Sequence, residues 1–140
     1  ILLFANSFFT DLLAKIFIKT QKDFFQIQKP SDFSSILFCV LNFFFSAFYE
    51  ETIYRFYLPK ALNRFCQKMQ NNKTKFLICE GIPCLCFAFA HLYLGIFSVI
   101  NAVIAHVILR VCYKKTYSIF LNTLAHTLYN ITELFLLTII

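Results

Sequence analysis

The sequence predicts an all-α, polytopic transmembrane bundle of about five spans. Composition is the first reason. Of 140 residues, 59% are hydrophobic and 14% charged, with a mean hydropathy of +0.68. Soluble domains run at about 45–50% apolar and about 25% charged. The second reason is patterning: apolar runs alternate with short connectors rich in Lys and Arg, and a span needs about 20 apolar residues. The third is a constraint, since backbone facing lipid must satisfy its own hydrogen bonds, which makes each span a helix. The net charge of +6 sits in clusters between apolar runs and not on one polar face. It therefore points to membrane lipids and not to a nucleic acid.

Residues 1–18 are apolar but interrupted by Asp11 and Lys15, which predicts a marginal span or an interfacial helix. Residues 19–33 read as a polar loop with Lys19, Lys22, Lys29 and Pro30. The second span starts at Ser34 or Ser35, either of which can cap a helix, and runs to Leu58, with Pro59 following. Residues 60–75 form a basic connector. Within it, Ala61, Leu62, Phe65 and Met69 recur at helical spacing, as in an amphipathic surface helix. The third span covers 76–92 and is broken at Gly81-Ile82-Pro83, so the helix proper is expected to begin at Pro83. A bend near Gly95 precedes the fourth span, 96–112. Arg110, Lys114 and Lys115 make a second basic connector, and the fifth span covers 117–140.

Two spans separate the basic connectors at 60–75 and 110–116, which places both on one side, the cytoplasmic one. The loop at 19–33 would then face outward in spite of its three Lys. There is no internal repeat and no low-complexity linker. Residues 1–140 read as one membrane-embedded domain with a motif-bearing core over about 36–135. The chain opens on Ile1 and its one Met is Met69, which reads as a chain lacking N-terminal helices. The six cysteines are scattered through apolar segments and read as buried free thiols.

The residues that carry chemistry are those that are costly in a bilayer. Glu50-Glu51-Thr52-Ile53-Tyr54-Arg55 follows an uncharged stretch over 36–49. Each ionised group at bilayer depth costs about 2.5–3.5 kcal/mol or more, so three in six residues need partners. Glu51 and Arg55 are i and i+4 and share a helix face. Glu50 points about 100° away, so the two acids cannot do the same job. One is held by Arg55 and the other faces a cavity as a base. Asn122, His126, Asn130 and Glu133 form a polar stripe on one face of the last span, which turns to a bundle interior or a water-filled cavity. His91 follows Phe87-Ala88-Phe89-Ala90, whose small Ala residues allow close helix approach. His106 and Asn101 read as packing or hydrogen-bonding residues.

Glu50-Glu51-x-x-x-Arg55, Phe87-x-x-x-His91 and His126-x-x-x-Asn130 lie in that order on separate spans. Together they resemble the intramembrane CAAX-type proteases and bacteriocin-processing or bacteriocin-immunity enzymes (the Abi, or type II CAAX prenyl endopeptidase, family). The stretch from Val111 to Ser118 is similar to one that precedes the last motif in that family, with Tyr117 where Gly is usual. The departure bears on the turn and not on the catalytic residues.

The resemblance implies an intramembrane endopeptidase acting near the membrane surface on a peptide or a lipidated protein, as a multi-pass protein of a bacterial inner membrane. It implies Glu50 as general base aided by His91, with His126 and Asn130 donating to the oxyanion. It also admits a zinc held by Glu50, His91 and His126, but no His-Glu-x-x-His helix is present, which favours the metal-free scheme. A non-proteolytic scaffold or a bacteriocin-immunity protein on the same fold is the alternative. A transporter or channel fragment lined by the polar stripe is a third reading, and the missing repeat speaks against it.

Overall fold

The computed structural model describes residues 1–17, 30 and 32–137. Most of the polar loop read over 19–33 lies outside the described residues, as do the side chains of Asp11 and Lys15 and residues 138–140. All regular structure among the described residues is helical. The helices are α1 (Leu2–Phe17), α2 (Phe33–Glu51), α3 (Leu58–Phe65), α4 (Asn72–Phe76), α5 (Ile82–Ala90), α6 (Ile96–Thr116) and α7 (Ile119–Leu137).

Several boundaries differ from those the sequence suggests, each for a local reason. The cap of α2 is Asp32, not Ser34 or Ser35. Its carboxylate accepts from the Ser35 N–H at 3.1 Å and from the Ser35 and Ser34 hydroxyls at 2.6 and 2.8 Å. The Ser35 hydroxyl above all, then that of Ser34, holds this carboxyl down at about 2. The helix does not stop at Pro59, because a π-helical segment, Thr52–Tyr57, joins α2 to α3 in one rod, Phe33–Lys68.

Pro83 likewise breaks nothing. A second π segment, Leu77–Gly81, joins α4 to α5, so the helix begins at Asn72 under the Asn71 cap and not at Pro83. Proline has no N–H and its ring crowds the carbonyl four residues back. In both rods the wider π turn lies immediately before the proline and absorbs that crowding. Leu58 N–H, for example, reaches back five residues to the Ile53 carbonyl. The stretch read as a surface helix is thus the end of a continuous rod. Cys66 and Pro59 face inward and Phe65 outward. The fourth span runs four residues longer than expected, to Thr116.

α7 packs along α2, and α1 and α5 both pack on α6. The buried set is polar as much as apolar. Asn6, Ser7, Thr10, Glu51, Arg55, His106, Asn122, Thr123, His126 and Thr127 are inside, while Phe38, Phe45, Leu85, Phe89 and Leu128 face out. An apolar exterior around a polar interior suits a bilayer as solvent. Two described helices, Phe33–Lys68 and Ile96–Thr116, are long and apolar enough to cross a membrane, against the five spans expected. Two apolar clusters flank the polar interior. Leu3, Ala105, Leu109 and Tyr129 tie α1 to α6 and α7, and Phe87, Ala88 and Ala102 tie α5 to α6. Asn6 Nδ2 bonds the side chain of Asn101 and donates to its carbonyl at 3.1 Å, while Asn101 Nδ2 donates to the Tyr129 hydroxyl at 2.8 Å. All six cysteines are free thiols; Cys66 and Cys79 are buried, Cys86 is exposed and the others are intermediate.

Tyr117 ends α6 in the left-handed conformation (φ 52°, ψ 22°), with its N–H on the Tyr113 carbonyl at 2.7 Å. This is where glycine is favoured. Because Tyr117 is 81% exposed, Tyr117→Gly is expected to raise stability by about 1 kcal/mol, the cost of a left-handed non-glycine residue. Gly95 stands at φ 99°, ψ 170° with open space around a Cβ. Gly95→Ala is therefore expected to lose about 1–3 kcal/mol through the backbone alone. Denaturant unfolding of both variants in detergent checks the two signs.

Candidate functional site

The site is built where α2 meets α7 and α5. Glu51 is completely buried and takes three partners: His126 Nδ1 at 2.9 Å, Asn122 Nδ2 at 3.0 Å and Arg55 Nε at 3.3 Å. Its neighbour Glu50 faces a different direction and keeps 23% of its side chain exposed. Glu50 accepts from the Ser46 hydroxyl at 3.2 Å and lies 3.7 Å from His126 Nε2. His126 therefore stands between the two carboxylates, one on each ring nitrogen. Glu51 takes Arg55, and Glu50 faces outward.

Arg55 is also completely buried. Its contact with Glu51 is an ion contact and not an aligned hydrogen bond. The guanidinium sits over the Phe87 ring, with Cζ 4.0 Å from the centroid. A desolvated cation–π contact is worth about 2 kcal/mol, which helps offset the burial of the charge. Phe87 is the hub of the site. Around its ring stand His91 at 4.7 Å, Tyr54 at 5.3 Å, His106 at 5.6 Å and His126 at 6.2 Å between centroids. His91 Nδ1 is 2.9 Å from the Phe87 carbonyl. A carbonyl only accepts, so Nδ1 carries a proton, and in the neutral imidazole Nε2 then presents its lone pair.

Not every residue named from sequence meets the others. His91 shares the Phe87 ring but pairs with neither glutamate among the described contacts. Asn130, half-buried one turn beyond His126, makes no side-chain hydrogen bond among the described residues. Among the described residues no group of three or more His, Cys, Asp or Glu side chains is placed to hold a metal ion. In this structure Glu50, His91 and His126 are not gathered as one ligand set, since His91 has no described contact with either of the other two.

Three contributors were missing from the sequence-derived site. Asn122 was visible only as part of the stripe. It also donates to the Leu109 carbonyl at 2.8 Å and so ties Glu51 to α6. Ser46 is four residues before Glu50, and that spacing was its only signal. Phe87 was named for its motif without a role. His106, expected to be a packing residue, does pack, but against the wall of this site.

The family model described as Type II CAAX prenyl endopeptidase Rce1-like matches residues 32–132, well over half of the chain. The chain belongs to that family. No curated protein and no solved structure matches it. The Rce1-like family is one of membrane-embedded proteases, so a peptide or protein substrate follows. All of the site residues named above lie inside the matched region.

Removing one partner of a buried ion pair strands the other charge and costs about 3–5 kcal/mol. Glu51→Ala is expected to destabilise the protein by that amount. Glu51→Leu combined with Arg55→Met, which removes both charges, is expected to recover most of the loss. Unfolding midpoints in detergent for the two variants are the check.

Proposed function

We propose that this chain is an intramembrane endopeptidase, forming one multi-pass membrane-embedded domain, that hydrolyses a peptide bond near the membrane surface by activating water at Glu50. The observation that carries the reading is His126 standing between a buried carboxylate at 2.9 Å and a partly open one at 3.7 Å. That arrangement separates the two acids by role. Glu51, ionised against Arg55, orients the imidazole. Glu50, 23% exposed, keeps access to the outside of the cluster, from which a water and a scissile carbonyl would approach.

Glu50 takes a proton from the water as its oxygen attacks the carbonyl carbon. His126, protonated on both ring nitrogens between the two carboxylates, keeps its Nδ1–H hydrogen-bonded to Glu51 and donates a hydrogen bond from Nε2–H to the carbonyl oxygen as it becomes negative. A preorganised donor of this kind lowers a barrier by about 2.7–4 kcal/mol. The C–N bond then breaks, and the proton on Glu50 passes to the leaving amine. His91 presents Nε2 as a second acceptor for the water, and Asn130 is the second oxyanion donor, brought into reach by substrate. The products are a free carboxylate and an amine, with one water consumed. The lipid-facing exterior and the buried charged cluster also support a substrate that approaches from the membrane, as a hydrophobic or lipidated peptide does.

General acid–base assistance contributes about 10²–10⁴-fold. Glu50→Gln is expected to lower kcat on hydrophobic peptide substrates by that factor while leaving the unfolding midpoint unchanged, because Glu50 is not part of the buried pair. Purified wild type and variant, assayed side by side with a panel of hydrophobic C-terminal peptides, decide it. Full activity in the variant overturns the role of Glu50. A well-folded wild type that cleaves nothing moves the chain to the scaffold reading.

A further inference from the structure

The sequence marks Arg110 only as a connector cation of the kind that sets topology. The structure puts it elsewhere. Its side chain is 15% exposed, and each guanidinium nitrogen has a partner. Nε and Nη2 grip the two oxygens of Glu80 at 2.7 and 2.9 Å. Nη1 donates to the backbone carbonyl of Arg55 at 2.5 Å. Lys114 adds a contact to Glu80 at 2.9 Å from a half-exposed position.

The carbonyl that Arg110 reaches is not an arbitrary one. In an α-helix the donor to Arg55 O would be the N–H of residue 59, four positions on. Residue 59 is proline and has none. Arg110 supplies a donor where the sequence removed one, at the backbone of the residue that pairs with Glu51. Its other hand holds Glu80, which sits in the second π segment, two residues after Ile78 and three before Pro83. The fork thus joins both π segments to α6 through one planar group, and planar two-handed recognition of this kind is what guanidinium offers and ammonium does not.

We propose that Glu80 and Arg110 form a clamp that sets the phase of the Glu50-Glu51-Arg55 segment, and that both are positioning residues for the site. The clamp holds the backbone of the π turn that follows the two acids, and with it the angular place of Arg55 against Glu51 and the Phe87 ring. Neither residue contacts Glu50, His91 or His126 among the described contacts. Their importance to turnover rests on the hydrolase reading above, whereas their grip on the backbone does not.

The test uses Arg110→Lys and Glu80→Gln in the full chain, with Lys114→Ala as a control that removes only the outer contact. Two readouts are taken on each: steady-state cleavage of a hydrophobic peptide, and backbone amide exchange over 52–58 in detergent. Lysine keeps the charge but cannot serve both Glu80 and the Arg55 carbonyl. Arg110→Lys is therefore expected to lower kcat about tenfold with KM within about twofold, since misplacement of the reacting groups acts on the transition state. It is also expected to raise exchange over 52–58 several-fold. Glu80→Gln is expected to show the same pattern more weakly, and Lys114→Ala neither effect. Unchanged exchange in both clamp variants overturns the proposal, as does a rise in KM with kcat intact. If Arg110→Lys does not fold, Glu80→Gln, which keeps the side-chain shape, decides the outcome by the same two readouts. If wild type cleaves nothing but exchange responds as stated, the clamp stands and the hydrolase reading falls.

Discussion

The interaction on which the rest depends is the buried pair of Glu51 and Arg55 lying against Phe87. Two full charges with no exposure are unfavourable anywhere, and more so in a protein whose exterior faces lipid. The bundle resolves this by giving each charge a different kind of partner. Glu51 receives aligned donors from α7, through Asn122 and His126. Arg55 receives the face of an aromatic ring from α5. The requirement that those partners converge fixes α7 and α5 against α2, and so assembles the three motifs from distant parts of the chain. The pair brings the helices together and also orients the imidazole.

The all-helical class and the charges that had to find buried partners were legible in the sequence because both rest on cost. A charge in an apolar run stands out from composition alone, and the i, i+4 relation of Glu51 and Arg55 follows from helix geometry without tertiary knowledge. What could not be read was anything that depends on one helix meeting another. That Asn122 reaches Glu51 across 71 positions of chain, or that Phe87 carries Arg55 on its ring, leaves no trace in local spacing. The helix ends were misjudged for a different reason. Pro59 is a strong stop signal and Pro83 a strong start signal in an α register, and the preceding π turns that disarm them have no pattern in the residues themselves.

The interior also explains how these helices organise themselves in an apolar solvent. Burying Leu or Phe gains little when the surroundings are equally apolar, so association relies on packing and on interhelical hydrogen bonds. The contacts among Asn6, Asn101 and Tyr129 join α1, α6 and α7 at one level. The Glu51 cluster joins α2, α5 and α7 at another. Small residues, Ala47, Ala88, Ala102 and Ala105, are buried beside them and let the backbones approach.

The π turn at Thr52–Tyr57 has a consequence for how this stretch tolerates change. Each of its hydrogen-bonded rings encloses one residue more than an α-helical ring does, so the segment amounts to a single-residue insertion held inside a helix. Deleting one residue between Glu51 and Arg55 would let the rod relax toward a plain α register. Arg55 would then sit three α-helical positions from Glu51, close to its present angular place, because the wide turn already takes up the extra residue. An added residue, by contrast, has no further wide turn to absorb it and re-aims every side chain beyond it. The segment can lose a residue more readily than it can gain one.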